Sequence, residues 1–418
     1  MSATVDAVSE FIQREFAQEH AFLAEIVKVP SDNPPGDCRS SAQRAQQLLE
    51  QLGFEVESHQ VPEDLVRANG MISATNLIVR ETFGSGGPVI ALNAHGDVVP
   101  PGRGWKHDPY GAEVVDDPAQ GSVMFGRGVA VSKSDFATYT WTLLALRELK
   151  KRGTKLNGTV ELHFTYDEEV GGEIGPGWII EQNLSRPDLV ICAGFSYSVT
   201  TAHNGCLHLE VVVNGKSGHA AIPETGVDAL EAASAVLNAI YAYRQELKQR
   251  RSMISGIGTA TINVGLIQGG INTNVVPDRV TLRIDRRIIP EEKTEDAETE
   301  LRTLIQRAVA DRAGITVEIS RILLAMPLVQ LPGATKMIEI LRRNGEAVFG
   351  VPIGASGVPL YTDARHYSQA GIPTVLYGAG PRTLQEANGH MADENLRLVD
   401  LKRATIVVAA TLAELLGD

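Results

Sequence analysis

Cysteine is scarce in this chain: three among 418 residues (Cys38, Cys192 and Cys206), an odd number and in no metal-ligand spacing. That excludes a disulfide framework and favours a reduced, cytoplasmic setting. Long apolar runs are also missing, none reaching the roughly 18 residues that span a bilayer. The opening stretch "MSATVDAVSEFIQREFAQEH" has neither the basic flank nor the apolar block of a secretory signal. Positive charge is in deficit, with 38 Lys and Arg against 51 Asp and Glu and a formal net charge of −13, which argues against a nucleic-acid partner. What remains, 43% hydrophobic and 21% charged residues, describes an ordinary globular protein too long for one core.

The periodicities predict alternating helices and strands. "AQRAQQLLEQLGF" carries apolar residues at three and four, "EVESHQV" alternates, and "SDNPPGDC" between the first helices is turn chemistry. The run "ALNAHGDVVP" is an apolar strand that ends in His95, with Asp97 two positions on. A long polar, glycine-rich stretch, the helix "DFATYTWTLLALRELKKRG" and the strand "GTVELHFTYDEEVGG" follow. This order implies an α/β core with a mixed, mostly parallel sheet flanked by helices, whose sites lie at strand carboxyl ends. From about residue 207 the order becomes strand, helix, strand, strand, helix, strand, the split βαβ pattern of a ferredoxin-like α+β layer. The expected organisation is a first domain over 1–206 and 324–418, interrupted by an insert over 207–323.

Three segments bear groups suited to chemistry. A histidine at a strand end commonly satisfies a local hydrogen bond, but a carboxylate two positions on is what a metal-bound imidazole needs to fix its tautomer. "YDEEVGG" places Asp167, Glu168 and Glu169 at another strand end. They suit a solvated helix start, or a pair in which one acid binds a cation and the other takes a proton from water. "NGHMADEN" offers His390 beside Asp393 and Glu394, as suited to a helix cap as to a ligand.

Taken together, "HGDVVP", "GWKHDPYGAEV", "FGRGV", "TYDEEVGG", "GKSGHAAIPETGVDA", "INTNVVPDRV", "RIDRR", "TDAR" and "GHMADEN" resemble, in order, the motifs of the M20 family of metallopeptidases and amidohydrolases, which includes carboxypeptidase G, acetylornithine deacetylase and aminoacylase. The resemblance implies hydrolysis of a C–N bond by metal-activated water. It makes His95, Glu169 and His390 metal ligands, Asp97 the partner that orients His95, and Glu168 the general base. It further implies that the insert is a lid and dimerisation domain forming a homodimer or higher homo-oligomer. His219 would reach the partner subunit's site and steady an oxyanion, Asn274 would be the family's polar lid residue, and Arg287 would bind a substrate carboxylate. Without the resemblance those three read as a strand-end histidine, a turn asparagine and a surface arginine.

Two departures stand out. The family's bridging aspartate in "G-R-G-x-x-D-x-K" is Val131 in "GRGVAVSKSD", and the second expected acid is replaced by Ala193 and Gly194 in "VICAGFSYS". Two divalent ions a few ångströms apart repel unless anions lie between them, so the expectation is one ion per subunit, of manganese, zinc, cobalt or iron. Asp135, four residues after Val131, offers either a replacement ligand or a charge at the helix start. The departures resemble the family's aminohydrolases that act on an aromatic amino-carboxylate such as 5-nitroanthranilate, giving 5-nitrosalicylate and ammonia. The alternatives are an N-acyl-amino-acid deacylase or a dipeptidase or carboxypeptidase of the same family and, in another class, a non-catalytic protein that binds a small carboxylate.

Overall fold

The computed structural model describes residues 3–417, which form two compact units. The first comprises the residues up to Thr201, Gln330–Ala355 and those from Thr362 on. The second comprises Ala202–Val329 and Ser356–Tyr361.

The sheet of the first unit runs in the order Val56–Gln60, Thr75–Thr82, Thr159–Thr165, Val89–His95, Leu189–Cys192, Thr374–Leu376, and continues into Ser198–His203 and Gly354–Val358. Its centre is parallel and its rims antiparallel. Val89–His95 and Thr159–Thr165 are almost wholly buried apolar runs, as expected of central strands covered on both faces. Their register pairs His95 with Thr165, so both strands end at one level and the residues that follow lie side by side. Gly96 takes this turn because a Cβ there would stand 2.4 Å from the Tyr166 ring.

Helices Ala3–Val27, Lys133–Lys151 and Leu398–Leu415 pack on one another, and Leu398–Leu415 also packs on Thr335–Phe349. Lys133–Lys151 is buried around most of its circumference, which accounts for a sequence without a clean polar face. Glu19 lies in this packing fully buried: one carboxylate oxygen accepts from the Thr405 hydroxyl and the other has no partner. Burial raises its pKa well above the ordinary carboxylate value. With the folded pKa above the unfolded one, stability is undiminished below the unfolded pKa and is lost progressively as pH climbs toward the folded value. Replacing Glu19 with glutamine should therefore change little near about pH 5 and add about 1–3 kcal/mol near about pH 8, read from urea midpoints at the two pH values.

The long polar stretch after Asp97 holds more order than its composition suggested. Glu113–Asp117 and Gly121–Phe125 form an antiparallel hairpin, joined through Gly121–Phe125 to Asn395–Arg397 in a three-stranded sheet. Glycine and aspartate in the turn had masked the strands.

The second unit has a four-stranded antiparallel sheet in the order Thr261–Gly269, Arg279–Ile288, Gly205–Asn214, Thr316–Ala325, with helices Ala229–Leu247 and Thr294–Ala308. Leu207, Leu209, Val211 and Val213 point to one face of the strand and share a core with residues of both helices. The helices therefore cover one face, in the split βαβ arrangement.

Candidate active site

His95, Glu168 and Glu169 each offer a ligand atom within 4.8 Å of the others. His95 Nε2 lies 3.9 Å from Glu168 Oε2, and His390 Nε2 lies 3.4 Å from Glu169 Oε1. Two neighbouring strand ends thus bring His95, Glu168 and Glu169 into one cluster in the first unit, and His390, from a distant loop, reaches it through Glu169 while lying outside the set of mutually close ligand atoms. The His390 side chain is half-exposed and that of Glu168 largely covered.

The sequence points to Asp97 as the carboxylate that orients His95, and the geometry gives it a wider part. His95 Nδ1 is 3.0 Å from the Asp97 backbone carbonyl and 3.4 Å from its Oδ1. The same fully buried carboxylate accepts the backbone N–H groups of Glu168 at 3.2 Å and Glu169 at 3.1 Å, and the Asn33 side-chain amide at 2.9 Å. Asp97 therefore fixes the imidazole and the acidic turn to one another. Asn33 comes from the "SDNPPGDC" loop, whose sequence signalled only a turn.

Asp167 takes no place among the candidate ligands. Its Oδ2 accepts from Ile174 N at 2.7 Å and Gly175 N at 2.9 Å, fastening the loop that leaves the acidic turn. Arg365 donates to the Gly171 carbonyl and to Glu173, and His366 Nε2 lies 3.0 Å from the Gly171 carbonyl. Burial, with Arg365 beside it, brings the His366 pKa down to about 4, so the ring is a neutral clamp. Asp363, the acid of "TDAR", has an unpartnered buried Oδ1, and burial pushes its pKa up to about 7. Gly172 is left-handed at φ +72°, and a Cβ on it would stand 2.1 Å from that oxygen. The motif was visible in the sequence, but these supporting contacts were not.

His390 is placed by a buried ion pair. Arg127 Nη1 donates to Glu394 Oε2 at 2.6 Å, and Glu394 Oε1 accepts from Ala130 N and Val131 N at 3.1 and 3.2 Å. Asp393 accepts from the N–H groups of Lys106 and His107. Both acids of "HMADEN" thus anchor the loop in which His390 and Asp393 adopt positive φ.

Val131 carries no ligating atom, and neither do Ala193 and Gly194. Asp135 is fully buried and accepts from Ala379 N at 2.6 Å, and its Oδ2 is unpartnered. Burial lifts its pKa to about 7, opposed by the Ala379 and Gly194 backbone N–H groups. It belongs to neither cluster of three or more metal-ligating side chains found among the described residues.

The electrostatics suit a cation. Burial opposes charge on His95, but the carboxylates of Glu168, Asp97 and Glu169 outweigh it and hold the imidazole pKa well above its ordinary value. Contact with Glu169 raises that of His390. Burial first, then Glu169, Asp363 and Asp97, raises the Glu168 pKa against the pull of His95. Glu169 Oε1 is buried without a hydrogen-bond donor. An orphaned carboxylate oxygen facing imidazoles is a donor set that fits a divalent transition ion.

In the second unit, His219 and Asn274 lie together and exposed: His219 pairs with Val275, and Ala220 N donates to the Asn274 carbonyl. Arg287 stands on the central strand Arg279–Ile288, where Asp285 holds it at 3.0 and 3.1 Å and its guanidinium lies over Tyr361.

No helix among the described residues is long and apolar enough to cross a membrane. The chain is similar to rat (Rattus norvegicus) aminoacylase-1A, 25% identical over 94% of this chain and 96% of that protein. Acetylornithine deacetylase of Myxococcus xanthus is 26% identical over 89% and 91%. Among solved structures, the di-peptidase Dug1p of Saccharomyces cerevisiae superposes with a TM-score of 0.78 at 15% identity, covering 100% of both chains. A profile described as Peptidase family M20/M25/M40 matches residues 91–414. With that match spanning most of its length, the chain belongs to the M20/M25/M40 peptidase family and is a hydrolase of C–N bonds.

Proposed function

We propose that this enzyme hydrolyses the C–N bond of a small carboxylate-bearing substrate with one divalent cation at its centre, held by His95, Glu169 and His390. The observations that support the reading are that His95, Glu168 and Glu169 offer ligand atoms within 4.8 Å of one another, that His390 lies 3.4 Å from Glu169, and that positions 131 and 194 offer no carboxylate. When bound, the cation supplies Lewis-acid polarisation of the substrate and makes water more acidic. Glu168 accepts the proton of the attacking water and delivers it to the leaving nitrogen, a task suited to a carboxylate whose burial raises its pKa above the ordinary value. Asp97 keeps His95 and the acidic turn in register for both steps. His219 stabilises the developing oxyanion, Asn274 contributes a polar lid group to the substrate, and Arg287, held by Asp285 through Nε and Nη2, offers its remaining guanidinium N–H groups to the substrate carboxylate. Retention of a base argues against a purely binding role.

Two substrate classes follow from different observations. The missing acids favour an aromatic amino-carboxylate such as 5-nitroanthranilate, whose ortho amine and carboxylate could complete a sparse ligand shell. The similarity to aminoacylase-1A and acetylornithine deacetylase favours an N-acyl amino acid. A dimer formed through a lid over 207–323 is part of the same proposal.

Manganese, zinc, cobalt and iron should each be paired with aminobenzoates, N-acyl amino acids and dipeptides. Ammonia released from 5-nitroanthranilate selects the first class, and release of a free amino acid selects the second. Manganese titrated into metal-free protein should bind at about one ion per chain with the spectrum of an isolated ion in paramagnetic resonance. Two spin-coupled ions would sink the single-cation reading.

A further inference from the structure

The second unit holds another cluster, beside Arg287 and made of residues other than His95, Glu168, Glu169 and His390. Gly205–Asn214 and Arg279–Ile288 are the two central strands of its sheet, paired antiparallel with His208 opposite Asp285 and Cys206 opposite Arg287. Side chains two apart on a strand share a face, so all four stand on one face. It is the face opposite the one that Leu207, Leu209, Leu282 and Ile284 turn to the helices. A one-residue slip would turn that apolar set out of the core, so the register that assembles the quartet is firmly specified.

Cys206 Sγ lies 3.2 Å from His208 Nε2, the same nitrogen lies 3.2 Å from Asp285 Oδ2, and Cys206 Sγ lies 3.9 Å from Asp285 Oδ1. A single N–H cannot point well at both sulfur and carboxylate, and a thiol–imidazole–carboxylate relay would place the acid on the other ring nitrogen. Three side chains each offering a ligand atom within 4.8 Å of the others suit coordination of one ion. Around a tetrahedral zinc or cobalt ion, bonds of about 2.3 Å to sulfur and about 2.0–2.2 Å to nitrogen and oxygen separate the ligands by about 3.3–3.6 Å. The two His208 separations of 3.2 Å fall within a few tenths of an ångström of that range, and Asp285 turns one oxygen to His208 and the other to Cys206.

We propose that Cys206, His208 and Asp285 form a second metal site, for a borderline-soft divalent cation such as zinc or cobalt, with a fourth position open. Thiolate with imidazole selects against magnesium and calcium. Cys206 is buried, whereas the His208 and Asp285 side chains are about one-third exposed at 32% and 31%, which gives the ion a way in. On binding, the Cys206 thiol loses its proton to solvent, and thiolate with carboxylate balances the charge of the cation. Arg287 stays on the outer lone pairs of Asp285 and orients it, as hydrogen-bonded partners of ligating carboxylates do. The sequence placed only His208 near Cys206, because the third ligand, Asp285 on the next strand, is 79 residues away.

Cobalt distinguishes this site from the hydrolytic one, whose residues contain no sulfur. Neither Cys38 nor Cys192 belongs to such a cluster among the described residues. Metal-free full-length protein titrated with cobalt should develop a sulfur-to-cobalt charge-transfer band in the near ultraviolet, and Cys206→Ser should abolish it. His208→Gln, at a partly exposed position, should weaken the binding that produces the band by at least about tenfold with circular dichroism unchanged. This second variant keeps the test decisive even where the buried Cys206→Ser change disturbs folding. Absence of the band at saturating cobalt, or its persistence with unaltered affinity in either folded variant, would overturn the proposal.

Discussion

Glu168→Gln should lower kcat by about 10²–10⁴-fold, the range that general-base catalysis commonly contributes, with cation affinity changed by only a few-fold. Glutamine keeps the shape and the backbone N–H bonded to Asp97 but cannot accept the proton. Glu169→Gln should behave in the opposite way. It removes a negative ligand whose Oε1 lies 3.4 Å from His390 Nε2. Cation affinity should fall by at least about tenfold, and excess metal should restore much of the activity. Calorimetric titration beside steady-state kinetics separates the two. If Glu168→Gln instead lost the cation and kept its rate when saturated with metal, the assignments would have to be exchanged.

Breaking the pair between Arg127 and Glu394 should destabilise the first unit by about 3–5 kcal/mol for either single change, Arg127→Met or Glu394→Gln. Arg127 is 1% exposed and Glu394 0%. The guanidinium also donates to the carbonyls of Pro101 and Met391 and lies over the Trp105 ring. Removing one partner strands the other in a medium that cannot solvate it. Burial already raises the Glu394 pKa, with Arg127 acting to lower it. The double change should cost clearly less than the sum of the single ones, because neither charge is then left alone. Urea unfolding followed by tryptophan fluorescence measures the cycle. A strictly additive cycle, or single costs below about 1 kcal/mol, would show that the pair does not hold the loop. The His390 loop should loosen in both single variants, so cation affinity should fall together with stability.

Elements were legible in the sequence wherever one periodicity dominated. The buried strand ending in His95, the helix after Val131 and the alternating strands of the second unit follow from apolar spacing. The hairpin of Glu113–Asp117 and Gly121–Phe125 did not, because its strands are short, partly exposed and interrupted by turn residues. His95, Glu168, Glu169 and His390 were nameable because each sits in a compact motif. Asn33, Arg365 and His366 were not, since each acts by holding a loop remote in sequence.

From its residues alone the chain declared its family resemblance, its α/β core with an α+β insert and the absence of carboxylates at positions 131 and 194. Local spacing and side-chain chemistry suffice for these. Tertiary structure decided which groups meet. Parallel register sets His95 level with Thr165, one buried aspartate ties the imidazole to the acidic turn, and antiparallel register sets His208 across from Asp285. Such meetings depend on strand pairing between segments far apart in the chain, and spacing along one segment carries no information about the register of another.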